Sequence, residues 1–182
     1  LTEPAPTDQG HGSQMSSLGG GQLESRDFGE LSYRFTYHGL LDNPPGFLQG
    51  AQIEGMDIHL RSTESAHLKL EKLNLIHIRS LSPRSAFIKP LSWFIQTGLE
   101  RAPVHDERQL VRFFQGGAGL SWRLGAAQPY VLATARLENN DSFKPLIGAG
   151  GGSNLGVLWH FSAVQLNVGA EGIYFANDEY RY

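Results

Sequence analysis

From residue 91 to residue 101 the chain alternates strictly: Leu91, Trp93, Ile95, Thr97 and Leu99 fall on one side of an extended strand, and Ser92, Phe94, Gln96, Gly98 and Glu100 on the other. The same period returns in 114–124, 131–137, 155–159 and 164–174, where Gly, Ala, Gln, Asn and Arg fill the second face. No helical period is long enough to cover these segments. The apolar runs also fall far short of the ~20 residues of a membrane-spanning helix, so a chain of this pattern could enter a bilayer only through strands. Repeated short alternation of this kind is the signature of a transmembrane β-barrel. The expected fold is therefore all-β, an antiparallel up-and-down β-barrel of about eight or more strands in the outer membrane. A soluble β-barrel or sandwich that binds a partner or an apolar ligand is the alternative, because one apolar face suits a core as well as lipid.

Composition narrows the chemistry. With 182 residues the chain is long enough for one domain with a core, and its formal net charge of -3 gives no electrostatic footprint for nucleic acid. It contains no cysteine, which excludes a disulfide, a thiolate nucleophile and a Cys-ligated metal site. Its 22 glycines and 10% aromatic residues suit a barrel, where small residues relieve crowding and aromatics collect at the membrane interfaces. No basic segment followed by an apolar one marks an export signal. Residues 1–27 are rich in Thr, Pro, Gly, Ser and Gln and read as a flexible linker, leaving 28–182 as the barrel domain.

Within that domain, strands are expected at 29–38, 52–61, 67–80, 91–101, 110–124, 130–138, 146–159 and 163–176. The phase of the third breaks at Glu71-Lys72, which predicts a β-bulge there. Asn43-Pro44-Pro45-Gly46 cannot belong to a central strand, and Asn139-Asn140-Asp141-Ser142 is turn chemistry. Gly116, Gly117 and Gly119 would let the fifth strand coil sharply. Glu179-Tyr180-Arg181-Tyr182 reads as the start of a ninth strand, and because single-chain barrels have even strand numbers, either the count is off by one or the barrel continues past Tyr182.

The polar phase carries the candidate site. Arg34, Asp57, His59, Arg61, Glu100, Arg123, Arg136, Glu138 and Glu171, with Glu30, Gln165 and Asn167, fall opposite the apolar residues. In a barrel they would meet in the lumen as a network of both signs, which tolerates burial only if its charges pair. Such a network either packs the lumen or lines a polar binding site.

Sharper chemistry has few candidates. His160-Phe161-Ser162-Ala163 resembles part of the His-x-Ser-Asn-Ala motif of outer-membrane lipid A deacylases, which implies a weak alternative catalytic pair, His160 and Ser162. The Asn is absent, no acid completes the pair, and the four residues fall on an expected hairpin turn. His105-Asp106-Glu107 lacks the spaced partners of a metal site, and 148–153 lacks the Gly-Lys-Ser/Thr ending of a phosphate loop. No metal and no cofactor is expected.

Residues 50–61 (Gly-Ala-Gln-Ile-Glu-Gly-Met-Asp-Ile-His-Leu-Arg) are followed by Ile78-Arg79-Ser80-Leu81-Ser82-Pro83-Arg84 and then by Pro90-Leu91-Ser92-Trp93. This order resembles the C-terminal region of large bacterial envelope proteins whose periplasmic domain is similar to the Lnb lipoprotein N-acyltransferases. The likeness continues more loosely through Gly156-Val157-Leu158-Trp159 and 164–174. The catalytic cysteine of that family lies in the upstream domain, so the resemblance implies no catalytic residue here. It implies instead a noncatalytic outer-membrane barrel that anchors or positions the upstream periplasmic domain of the same protein, with outer-membrane lipid as its surroundings. A barrel esterase acting on a lipid is the enzymatic alternative.

Overall fold

The computed structural model describes residues 12–23, 25–42, 48–63, 67–104, 107–141, 143, 147–161 and 164–175, and every regular element among them is a strand. In chain order these are β1 (Met15–Leu23), β2 (Arg26–His38), β3 (Ala51–Thr63), β4 (Leu68–Ser80), β5 (Pro83–Arg84), β6 (Ser92–Val104), β7 (Glu107–Trp122), β8 (Ala127–Asn139), β9 (Ile147–His160) and β10 (Gln165–Phe175). The long strands form a single meander, β1-β2-β3-β4-β6-β7-β8-β9-β10, each antiparallel to the next, while β5 pairs in parallel with β7 through Pro83↔Ser121 and Arg84↔Trp122. The all-β, up-and-down arrangement is as expected. Among the described residues the sheet is open, with β1 and β10 at its edges.

Alternation places side chains on two faces of opposite character. Along β8, Gln128, Tyr130, Leu132, Thr134, Arg136 and Glu138 are buried, and the intervening Val131 and Leu137 are exposed. Along β2, Ser32, Arg34 and His38 are buried while Leu31, Phe35 and Tyr37 are exposed. The exposed phase continues through Trp93 on β6, Phe114 and Trp122 on β7, Leu155 on β9 and Leu166 and Val168 on β10. Charged and amide side chains therefore sit inside and large apolar ones outside, the reverse of a half-buried sheet in a water-soluble protein.

The sheet curls toward its polar face. Neighbouring strands lie ~4.8 Å apart, so β7 and β10, three steps apart, would be separated by ~14 Å if the sheet were flat. Yet Gln115 Nε2 on β7 donates to Glu171 Oε2 on β10 at 2.9 Å. Further round, Gln165 Nε2 on β10 donates to the carbonyl of Asp42, just after β2, at 2.8 Å. Curvature of this order encloses a narrow interior. Leu40, Leu81, Phe94, Tyr130, Leu132 and Leu158 pack at the end where β2 finishes, and Ala102, Val104, Val111 and Phe143 at the other. Buried polar side chains lie between and beside these apolar clusters.

Two details adjust the sequence expectation. The linker predicted for 1–27 is strand from Met15 to Leu23, paired with β2 from Met15↔Arg34 to Leu23↔Arg26. A Gly-Gly-Gly segment has little side chain to alternate, so its order comes from the backbone ladder alone. The predicted bulge is present: β3 and β4 pair His59↔Lys72 and then Leu60↔Leu70, leaving Glu71 as the extra residue. The expected ninth strand and Asn43-Pro44-Pro45-Gly46 lie outside the described residues.

Candidate functional site

The polar face is organised in groups of ion pairs that combine direct cross-strand neighbours with partners two or three strands away. The first lies near the end of β2. Arg34, only 4% exposed, donates from Nη1 to Glu54 Oε1 on β3 at 3.0 Å and from Nη2 to Asp42, whose carboxylate also accepts from the Gly39 backbone N–H at 2.7 Å. Gln52 Nε2 donates to the second oxygen of Glu54 at 2.7 Å, and His77 Nδ1 on β4 lies 3.6 Å from it. Met56, with a positive φ of 52°, stands where the inward parity of β3 passes from Gln52 and Glu54 to Asp57, His59 and Arg61.

The second group follows from that change. Arg34↔Asp57, Ser32↔His59 and Glu30↔Arg61 are direct cross-strand partners of β2 and β3. His59 stands between carboxylates, with Nδ1 3.0 Å from Glu30 and Nε2 2.9 Å from Asp57, and Asn74 Nδ2 donates to Asp57 at 3.3 Å. Arg61 donates to Glu30 Oε2 from both Nε (3.0 Å) and Nη2 (2.7 Å), and its guanidinium lies 4.1 Å above the Phe28 ring. Its Nη1 reaches Glu71 at 2.9 Å, and Arg108 on β7 donates to the same carboxylate. The bulge is what makes this possible, since an extra residue turns Glu71 onto the charged face, where cations from β3 and β7 meet it.

The third group is the most deeply buried. Arg136 on β8, 6% exposed, donates from Nε to Glu138 Oε1 at 2.7 Å, from Nη1 to Gln115 Oε1 at 3.0 Å, and from Nη2 to Glu100 on β6. The face of its guanidinium covers the Phe113 ring at 4.4 Å. Gln115 accepts from Gln96 as well and donates to Glu171, which also accepts from Asn154 Nδ2 at 2.7 Å. Glu100, Arg136, Glu171, Ile173 and Phe175 line a polar cavity of about 210 Å³ beside this group. Charges removed from water are tolerable only when paired and hydrogen-bonded, and here each buried guanidinium has at least two acceptors.

Of the residues picked out from sequence, Arg34, Asp57, His59, Arg61, Glu100, Arg136, Glu138 and Glu171 belong to these groups. Arg123 does not: it follows the end of β7, exposed, and donates to Gln49 at 3.0 Å. His160 Nε2 lies 3.2 Å from Gln128 Oε1 at the end of β9, and Ser162 and Ala163 are outside the described residues. The Phe161 N–H donates to the Val164 carbonyl at 3.0 Å, which fits a tight hairpin between β9 and β10. His105 and Asp106 are also outside the described residues, and among the described residues no group of three His, Asp or Glu side chains is placed to hold a metal. Asp42, Glu54, Glu71, Arg108 and Gln115 were not singled out by sequence. For Glu54 a signal existed, because Ile53 and the pair Ile58 and Leu60 have opposite parity.

No curated protein and no solved structure matches the chain. One family model does, from residue 4 to residue 182, so the chain belongs to DUF7840, a domain of unknown function.

Proposed function

We propose that this domain is a noncatalytic outer-membrane β-barrel that anchors or positions a periplasmic domain of the same protein, one similar to lipoprotein N-acyltransferases. The observation that carries the membrane reading is the reversed polarity of the sheet: Arg34, Arg136 and Glu138 are 4%, 6% and 3% exposed, whereas Trp93, Leu155 and Val168 are 42%, 50% and 58% exposed. In water, such an outer surface would be a large unpartnered apolar patch. In hydrocarbon it is the favourable side, and the ion pairs inside are shielded from lipid. Strand length agrees, since β2, β3, β4, β6 and β8 have 13 residues each, more than the ~9–11 a tilted strand needs to cross the hydrocarbon. Tyr37, Trp93, Trp122 and Trp159 all lie near the same end of the sheet, where an aromatic girdle would meet the headgroups. In this reading the curled sheet forms the barrel wall, with its apolar face toward lipid. The anchoring role rests on the likeness of 50–93 to the C-terminal region of envelope proteins.

Partitioning tests the proposal. The purified chain should require detergent, and its folded form should migrate differently on gels before and after boiling. A monodisperse, folded protein in plain buffer would overturn the membrane reading and favour a soluble binding module.

A further inference from the structure

The outer face is not uniform. On β6, β7, β8 and β9 one row of direct cross-strand neighbours reads Leu99, Arg112, Asn139 and Ile147, and the next reads Thr97, Phe114, Leu137 and Ala149. On β4 the register against β6 slips between Asn74 and Ile76, and Leu75 is the extra residue beside these rows. The result is a groove of about 360 Å³ on the apolar side, bounded by Leu75, Leu99, Phe114, Leu137 and Ile147, with Arg112 among them. Its lining is mostly apolar, the Thr97 hydroxyl being turned to the Phe113 carbonyl, and at one edge the Arg112 guanidinium donates to Asn139 Oδ1 at 2.9 Å and lies 3.7 Å from Asp141. Those side chains of Arg112 and Asp141 are 62% and 92% exposed, so their attraction is weak and the guanidinium can take a stronger acceptor.

Resting on the membrane reading above, we infer that this groove seats one acyl chain of a phosphate-bearing lipid, with the lipid phosphate held by Arg112. Charge and shape both point to that occupant. A planar guanidinium offers paired donors that match phosphate oxygens, and it stands where the apolar rows give way to the polar Asn139, Asn140 and Asp141, the level at which a headgroup would lie. A neutral lipid would fill the groove but leave the cation unmatched, and anionic lipid surfaces attract exposed Arg.

The test uses the full chain in nondenaturing detergent, titrated with phosphatidylglycerol or with diacylglycerol of the same acyl chains, and bound lipid read by native mass spectrometry. Phosphatidylglycerol should bind in preference to diacylglycerol, with one molecule retained most tightly. Arg112→Gln should weaken that binding by about tenfold, as loss of a charge-assisted contact implies, whereas Arg123→Gln, at the opposite end of the strands, should not. Equal binding of the two lipids, or an unaltered Arg112→Gln variant, overturns the groove assignment while leaving the barrel intact. A chain that stays folded in buffer and takes up neither lipid overturns the assignment and the membrane reading together.

Discussion

Replacing Arg136 with Ala removes the cation on which the most buried polar group depends. Three acceptors surround it, Glu138 Oε1, Gln115 Oε1 and Glu100, of which Glu138 is 3% and Gln115 0% exposed. Removing one member of a buried ion pair costs ~3–5 kcal/mol, because the remaining charge stays in a region of low dielectric. Loss of the guanidinium from the Phe113 ring adds roughly 1 kcal/mol. Glu100 contributes less, since its side chain is 24% exposed and Lys72 is its cross-strand neighbour on β4. Arg136→Ala should therefore destabilise the fold by about 4–6 kcal/mol in urea unfolding followed by tryptophan fluorescence in detergent or lipid. Adding Glu138→Gln, which removes the negative charge and keeps the shape, should recover part of that loss through the coupling expected of contacting residues. A change below ~1 kcal/mol for Arg136→Ala, with no coupling to Glu138→Gln, would show that water reaches this group and that the interior is not closed around it.

The remaining expectations follow from other parts of the sheet. Leu155→Arg puts a charge on the exposed apolar face of β9, further into the sheet than the Trp159 girdle, and should impair assembly into membranes by ~2–4 kcal/mol, measured by folding into vesicles. Gly50 has a φ of +78°, and a Cβ there would come 2.6 Å from the Leu81 carbonyl, so Gly50→Ala should lower stability by about 2 kcal/mol or more in the same unfolding assay. Because the inward charges pair and apolar clusters occupy both ends of the interior, the chain should give no large, stable conductance in planar bilayers; steady open-channel currents would refute that packing.

Much of this architecture is legible in the sequence because a strand with one apolar and one polar face has a period that glycine and alanine do not hide. Trp93 to Leu99 and Val131 to Leu137 show it directly, and even the bulge at Glu71 is visible as a lost phase. Other features carry no such signal. β1 is glycine-rich and holds its place mainly through main-chain pairing, helped by Ser17 against Ser32, so its side chains carry no apolar alternation that distinguishes strand from linker. β5 is a two-residue parallel contact set by the path of the chain, not by a pattern of its own. The polar site was legible as a face but not as a set of partners. Gln115 is the direct cross-strand partner of Arg136, and Glu138 lies on the same strand as Arg136. The reach of Arg136 to Glu100, two strands away, depends instead on how tightly the sheet curls, and the pairing of Glu71 with both Arg61 and Arg108 depends on a bulge bringing β3 and β7 to one carboxylate. Parity names the residues that point inward; curvature decides which of them touch.

The chain has 3 tryptophans, Trp93, Trp122 and Trp159, and all occupy the outward phase of their strands at one end of the sheet. Their fluorescence reports on the medium that meets the outer face, without any substitution. Reconstituted into vesicles whose acyl chains carry bromine, the wild-type chain should show strong quenching, greater for bromine near the headgroups than for bromine at the chain ends, as an interfacial girdle requires. Emission characteristic of water, unchanged by brominated lipid at any depth, would contradict an outer face solvated by a bilayer.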